Sequence, residues 1–262
     1  MRAALLLLFL IAACKSEPSA EAKPAAVSAC RPQTFEDSRF IVCDAGLGQV
    51  ELVAAAKGEQ PVRRLADLEL TLGKRATLVA FAMNAGMYDE GGRPIGLAIV
   101  EGRQVRAINR RTGGGNFHLM PNGVFQVRRD GRAEVVTSDR WQPSPTIRIA
   151  TQSGPMLVID GRLHPAFARD GSSRHIRNGV GIAPDGRPRF VISDDPVSLG
   201  KFARFFRDSL KCKNALFFDG AVSALWDPAN HRRDLTKPLG PIVVAFKPPE
   251  ESARRRAAPA RP

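Results

Sequence analysis

The sequence is poor in aromatic residues. Its 262 positions hold one Tyr, two Trp and 14 Phe. A single-strand nucleic-acid binder stacks bases on aromatic platforms, and a chain so short of Tyr and Trp does not fit that class. Histidine is also scarce. His118, His164, His175 and His231 are scattered without ligand spacing, and no Cys-x-x-Cys accompanies them, so no metal is expected. Gly-x-Gly-x-x-Gly and Gly-Lys-Ser/Thr are missing, which disfavours dinucleotide folds and P-loop enzymes. Gly-x-Ser-x-Gly is missing too, so no serine sits in a nucleophile elbow. No other cofactor is expected. No apolar run approaches the ~20 residues of a membrane helix.

What remains is the balance of a folded protein, 44% hydrophobic and 25% charged. Lys and Arg number 39 against 26 Asp and Glu, a formal charge of +13. The 23 Gly and 20 Pro point to many turns.

The two ends differ from the middle. Arg2 precedes an apolar stretch, Ala3 to Ala13, with the length of a signal-peptide core. Ile11-Ala12-Ala13-Cys14 resembles a bacterial lipobox, in which the Cys is lipidated and becomes the first mature residue; the alternative is an ordinary signal with an incidental Cys. Residues 1–13 are therefore expected to be a signal and Cys14 to carry lipid. Residues 14–29 form a tether without apolar periodicity, and residues 247–262 a disordered basic tail. The folded domain is expected over 30–246. Arg2 leaves with the signal, the tether's charges cancel, and the tail holds five bases against two acids. The body thus keeps about +9, suited to anionic ligands. Export removes nucleic acid as a partner and places the chain in the bacterial envelope, periplasmic or outer-membrane-facing.

Export also makes disulfides possible. With Cys14 assigned to lipid, Cys30, Cys43 and Cys212 remain. A Cys30–Cys43 bridge is favoured, tying the first strand to the tether; 30–212, 43–212 and no bridge are the alternatives.

Along the body, Arg39–Asp44 and Gln49–Ala54 read as a hairpin split by Ala-Gly-Leu-Gly. Leu65, Leu68 and Leu72 have helical spacing. Ala76–Met83 reads as a buried central strand. Short strand candidates follow at Leu97–Val100, Val124–Arg128, Ile147–Thr151, Met156–Ile159, Gly179–Ala183 and Arg189–Ser193. Turn dipeptides separate them: Glu101-Gly102, Asn122-Gly123, Asp130-Gly131, Asp160-Gly161 and Asp185-Gly186. Ser198–Leu210 reads as a helix capped by Ser198, with Phe202, Phe205, Phe206 and Leu210 inward and Lys201, Arg204, Arg207 and Asp208 outward. Ala215–Phe218 and Ile242–Phe246 are buried strands. The fold class is α+β: one domain, largely antiparallel or mixed sheet with a few packed helices.

Four motifs crowd polar groups and glycines against apolar strands. Asn84 ends a strand in Asn84-Ala85-Gly86-Met87-Tyr88, and an amide there can grip a hydroxyl or phosphate oxygen. Gln152, Ser153 and Gly154 break two strands. Arg174 and Arg177 precede the strand beginning near Gly179, and an Arg in a cleft grips phosphate in bidentate fashion. Asp219-Gly220-Ala221-Val222-Ser223 places a carboxylate directly after Ala215–Phe218, an expensive position unless the charge is paired or used. Each has a structural alternative: a turn cap, a polar bulge, a solvated Arg and an Asp-Gly turn.

In this order the four motifs resemble the phosphodiester glycosidase family, over about residues 38–246. Gly154-Pro155 with Asp160-Gly161, Arg177 with Gly181, and Asp219-Gly220 with Ser223 match successive blocks of that family. Ala221 and Val222 stand where the family has small residues, which narrows the backbone's freedom beside Asp219. Asn116 and His118 also resemble family positions near the site. The resemblance implies an exported hydrolase acting on a sugar-1-phosphodiester in an anionic glycan, membrane-bound through its N-terminal lipid. Asp219, Arg177 and Asn84 would be catalytic. Gln152, Ser153, Gly154, Arg174, Gly220, Ser223, Asn116 and His118 would bind substrate. Asp219 would stabilise an oxocarbenium-like centre, act as nucleophile or activate water. Arg177 would hold the departing phosphate, assisted by Arg174 or Arg111. Asp194 and Asp195 are second carboxylates in reserve, with a surface turn as their alternative. The competing readings are a non-catalytic envelope protein that binds anionic glycans, and a metal-dependent phosphodiesterase, for which the clustered ligands are missing.

Overall fold

A computed structural model describes residues 28–46, 49–235 and 237–248. The expected signal, the expected lipidation site at Cys14, most of the expected tether and most of the expected tail lie outside the described residues. Among the described residues no helix is long and apolar enough to cross a membrane.

Among the described residues there are seventeen strands and two α-helices. The strands are β1 (Cys30–Phe35), β2 (Ser38–Asp44), β3 (Val50–Val53), β4 (Val79–Asn84), β5 (Ala98–Val100), β6 (Arg103–Arg106), β7 (Gly123–Arg128), β8 (Ala133–Thr137) and β9 (Ile147–Ser153). They continue with β10 (Met156–Ile159), β11 (Arg162–Leu163), β12 (Asn178–Ile182), β13 (Pro188–Ser193), β14 (Ala215–Asp219), β15 (Leu225–Asp227), β16 (Arg232–Arg233) and β17 (Ile242–Phe246). The helices are α1 (Leu65–Leu72) and α2 (Leu199–Arg204). Three sheets form, in the orders β1-β2-β13-β12-β14-β10-β11, β16-β15-β4-β17-β3 and β6-β5-β9-β7-β8. Every pairing is antiparallel. The architecture is the α+β domain read from the sequence.

The core lies where the three sheets meet. Phe81, Phe125, Phe190 and Phe218, drawn from all three, are fully buried there. Alternation along single strands feeds two cores at once. On β14, Leu216 and Phe218 enter the central core, while Ala215 and Phe217 enter a second one under α2. Successive side chains point to opposite faces of a strand, so a strand buried on both sides reads as a continuous apolar run. Phe202, Phe205 and Phe206 close the second core against Phe40 and Phe217. Leu65 and Leu68 of α1 cover the sheet built around β4.

Several expectations need correction. Strand β2 does not form a hairpin with β3. It pairs with β1 and β13, which occupy both its edges, while β3 pairs with β17 in another sheet. The actual hairpin joins β1 to β2 through Glu36 and Asp37, both at positive φ, 45° and 58°. That is the conformation of the favoured hairpin turns, reached here without glycine. Cys30 and Cys43 face each other across this hairpin and are bonded, leaving Cys212 as a buried free thiol. Residues Gly73–Leu78 are 3-10 helix, so the central strand begins only at Val79. Asn122-Gly123 is not a turn. Gly123 starts β7, and a Cβ there would lie 2.2 Å from Met156 Sδ, so the glycine serves close packing. The Ser198 cap is present, its hydroxyl accepting from Lys201 N. Beyond Arg204 the helix widens into a π turn, Phe205–Ser209, and Arg204 turns inward. It is 3% exposed and donates to both carboxylate oxygens of Glu36, at 2.8 and 2.6 Å.

Candidate active site

The site is assembled at the C-terminal ends of β4 and β14 and the N-terminal end of β12. The β12–β14 ladder slips between Asn178 and Gly179, so that Asn178 stands opposite Asp219. Such a bulge re-aims the residues beside it. Asn178 then becomes a hub. Its amide donates to Asn84 O at 2.7 Å and Asn84 Oδ1 at 3.0 Å, and its carbonyl accepts from Asp219 N at 3.1 Å. Asn84 in turn donates to Val222 O at 2.7 Å and accepts from Ala224 N at 2.8 Å. Ser223 Oγ lies within 3.3 Å of Ile176 O, Asp219 O and Asn178 Oδ1. This web fixes the 219–224 turn from below.

Asp219 is 8% exposed. Its Oδ1 accepts from three consecutive backbone N–H groups, Gly220 at 2.6 Å, Ala221 at 2.8 Å and Val222 at 3.3 Å. Oδ2 accepts no hydrogen bond among the described residues and is the oxygen left for chemistry. Burial raises the carboxyl above its ordinary range, and the three N–H donors only partly oppose it. Tyr88, the single tyrosine, is close enough to feel this carboxylate. Burial, and then the Asp219 charge, push its phenol up to about 12. The phenol donates to Pro238 O at 2.9 Å, and its ring packs on Gly240, where a Cβ would come within 2.2 Å.

Arg177 is 1% exposed and is the largest fully buried side chain among the described residues. Its Nε donates to Val197 O at 2.7 Å and its Nη2 to Ser173 O at 2.9 Å, while Phe217 lies 5.4 Å beneath the guanidinium. None of these partners is acidic, and burial lowers the group to about 10. Nη1 makes no hydrogen bond among the described residues. It faces Gly220, where a Cβ would sit 2.9 Å away. A buried guanidinium without a carboxylate partner, its Nη1 open, faces the backbone of Gly220, the residue that follows Asp219. Beyond Arg177 opens a cavity of about 260 Å³ lined by Leu119, Phe167, Ser172, Ser173 and Leu199.

The other expected site residues fall into two groups. Gln152, Ser153 and Gly154 are buried and fully engaged. Gln152 Oε1 accepts from Leu97 N and Asn109 N, and its amide donates to Asn109 O and Asn122 Oδ1. Ser153 donates to Phe218 O. A Cβ on Gly154 would meet Asn122 at 2.6 Å. Together with Asn84, these residues have no free polar atom for a substrate, and their place in the site is to hold strands and loops. A second group is peripheral. Arg174, Arg111 and Asn116 are exposed, and His118 is half-buried with Nδ1 2.8 Å from Arg111 O. No hydrogen bond or ion pair among the described residues ties these four to Arg177 or Asp219. Asp194 is bound by Arg39 and Arg232, and Asp195 accepts from Arg39 N, so neither is a second carboxylate facing Asp219. Among the described residues no group of three or more His, Cys, Asp and Glu could hold a metal.

The sequence reading passed over Asn178 and Tyr88. The signal for Asn178 was its position: an Asn opening an apolar strand is depleted there unless its amide is used. Tyr88 gave no signal beyond its rarity.

The phosphodiester glycosidase family matches residues 77–241, which include Asn84, Gln152, Arg177 and Asp219. The chain belongs to the phosphodiester glycosidase family. An uncharacterized relative, YigE of Escherichia coli K12, is 38% identical over 148 residues, 56% of this chain and 58% of that one. The match therefore spans less than two thirds of the relative's length. Among solved structures, the catalytic domain of zebrafish N-acetylglucosamine-1-phosphodiester alpha-N-acetylglucosaminidase, auto-inhibited by its pro-peptide, superposes with a TM-score of 0.57. It is 17% identical, and the match covers 84% of this chain and 82% of that one. A hypothetical protein from Synechocystis superposes with a TM-score of 0.54 at 12% identity, covering 84% and 61% of the two chains. At such identities these two likenesses are of fold. Membership in the family makes a hydrolase the coarse reading of the site.

Proposed function

We propose that the protein hydrolyses the bond between an anomeric carbon and a phosphodiester oxygen of an anionic glycan. The observation that carries this reading is Arg177: a buried cation without an acidic partner, its open Nη1 facing Gly220, the residue that follows Asp219. An unpaired buried charge is costly, and a phosphate is the ligand that pairs it. The sugar's C1 lies against Asp219 Oδ2 and the phosphate against Arg177 Nη1. Water adds to C1, the C1–O bond breaks, and the phosphate leaves as a monoester with the bridging oxygen and its electron pair. Asp219 Oδ2 stabilises the positive charge developing at C1 and takes the proton of the attacking water. The leaving monoester has a second pKa near ~6, so it departs without the strong general acid that ordinary glycosidases need. Asn84, Asn178, Gln152, Ser153 and Ser223 act as positioning residues, and Gly220 admits the Arg177 guanidinium.

The same reading places the chain in an envelope, anchored through Cys14. The Cys30–Cys43 disulfide supports an oxidising compartment, and the basic body draws polyanionic glycans toward the site.

The test is release of reducing sugar from a panel of sugar-1-phosphodiesters, with and without chelator. Turnover that survives chelator and is lost in Asp219→Asn and Arg177→Ala is the expected result. Binding of the glycans without turnover would return the protein to the class of non-catalytic envelope binders. Full turnover in both variants would overturn the site.

A further inference from the structure

A basic groove of about 500 Å³ runs between the start of α1 and the segment that leads from β16 to β17. Four cations line it, Arg63, Arg64, Arg233 and Lys237, with one carboxylate, Asp234. That carboxylate is already spent. Its two oxygens each accept from Arg232 at 3.0 Å, and Oδ2 also accepts from Leu225 N at 2.9 Å. Arg64 and Arg233 have acids of their own, Asp67 and Glu69. Arg63 has no acidic partner among the described residues. Its Nη2 donates to Glu90 O at 3.3 Å, and its Nη1 is buried without a hydrogen-bond partner. The guanidinium lies against Gly92 and over the Tyr88 ring, 5.7 Å from the centroid. Like Arg177, it is held by a backbone carbonyl and an aromatic ring, not by a carboxylate.

Chain pairing fixes where the groove lies relative to the site. Asn84 pairs with Ile242 at the start of β17. The residues before Ile242 then run back along those after Asn84. Ala85 N donates to Pro241 O at 2.8 Å, the Tyr88 ring packs on Gly240, and the Tyr88 phenol donates to Pro238 O at 2.9 Å. Pro238 is on the groove wall, and its neighbour Leu239 donates from N to Arg63 O at 2.7 Å. The four residues from Asn84 to Tyr88 span at most ~14 Å. Tyr88 links the two places, since its phenol feels both the Asp219 charge and the Arg63 charge.

We propose that this groove is a second anion subsite, which holds a phosphate of the same glycan outside the bond being cleaved. The proposal rests on the assignment of Asp219 and Arg177 given above. A glycan that repeats its phosphates engages Arg177 and Arg63 together, whereas a ligand with one phosphate engages one of them. The preferred substrate is therefore a polyanionic chain and not a lone diester.

The experiment has a binding arm and a turnover arm, both on the full chain. Calorimetry on Asp219→Asn, which keeps the ligand whole, compares glycan fragments of equal length that carry one or two phosphodiester links. The two-link fragment should bind about tenfold more tightly, the worth of one added charge-assisted contact. Arg63→Gln should erase that preference and leave the one-link fragment unchanged. Arg64→Glu should do the same at an exposed side chain, without disturbing the packing on Tyr88. Equal affinity for the two fragments, or a preference that survives either variant, overturns the proposal. Binding to vesicles of anionic phospholipid that both variants abolish, with the fragments bound equally, also overturns it and gives the groove to the membrane. In the turnover arm, wild type should cleave the two-link fragment at the higher kcat/KM. Equal binding with turnover of both fragments refutes the subsite and leaves the activity standing. The binding preference without sugar release from either fragment refutes the activity and leaves the subsite.

Discussion

Two buried arginines of this domain should respond very unequally to the same substitution. Arg177 and Arg204 are 1% and 3% exposed, but only Arg204 has carboxylate partners, Glu36 and Asp170. Removing one member of a buried pair costs about 3–5 kcal/mol. Glu36 and Asp170 are partly exposed and can rehydrate, so Arg204→Met belongs at the lower end, a loss of about 3 kcal/mol. Arg177 already bears its cost in the folded state. Burial lowers it from 12.5 to about 10, and at 1.36 kcal/mol per unit that is a penalty of about 3 kcal/mol. The folded value lies below the unfolded one, so the unfolded chain holds the proton more tightly, and the penalty is constant at every pH below about 10. Arg177→Met removes it and forfeits the bonds to Val197 O and Ser173 O, worth about 1 kcal/mol each. Val197 O keeps its bond from His175 N. The net expectation for Arg177→Met is a stability within about 1 kcal/mol of the wild type, with turnover abolished. Urea unfolding at pH 7, read at equal slopes, measures both variants. If Arg177→Met loses as much as Arg204→Met, Arg177 is a structural residue and the phosphate assignment fails.

Three further outcomes are expected. The raised carboxyl of Asp219 means that its contribution to stability is present below the ordinary carboxylate range and is lost as pH rises through the folded value. Asp219→Asn should therefore gain stability on wild type between pH 3 and pH 7, and wild-type activity should fall on acidification with a midpoint above ordinary aspartate; a variant that is less stable at pH 7 than at pH 3, relative to wild type, contradicts the burial of that charge. Tyr88 is the only tyrosine, so its ultraviolet titration is unambiguous: the midpoint near 12 should move down in Asp219→Asn, and an unchanged midpoint would separate the two groups. Gly86→Ala would bring a Cβ within 2.3 Å of Gln152 O and 2.4 Å of Thr151 Oγ1, an overpacking cost of about 1–3 kcal/mol, seen as a lower denaturation midpoint together with reduced kcat.

The strands were legible where one strand fed two cores. Ala215–Phe218 and Ile242–Phe246 read as buried because both faces are apolar, and the structure buries both. What local pattern does not encode is the partner. The β2–β3 hairpin was inferred from proximity and a glycine-rich break, yet β2 had β1 and β13 on its edges. The β1–β2 hairpin escaped notice because Glu36 and Asp37 adopt positive φ without the Asn-Gly or Asp-Gly sign. Tertiary pairing set both outcomes.

The site was legible in the same partial way. Polar residues at the ends of apolar strands marked the right place, since a polar group there must be satisfied or used. The sequence cannot say which of the two holds for a given atom. Asn84 and Gln152 looked like ligand-binding amides, and each polar atom of both is consumed by the fold. Arg204 looked like a solvated helix face and is buried in an ion pair; Arg177, read as a phosphate-holding residue with a solvated surface arginine as the alternative, is buried without an acidic partner. What separates framework from chemistry here is therefore an unspent valence, on Asp219 Oδ2 and Arg177 Nη1. An unspent valence is a property of three-dimensional neighbours, so no motif can carry it, and a variant that fills it with protein should cost activity without costing the fold.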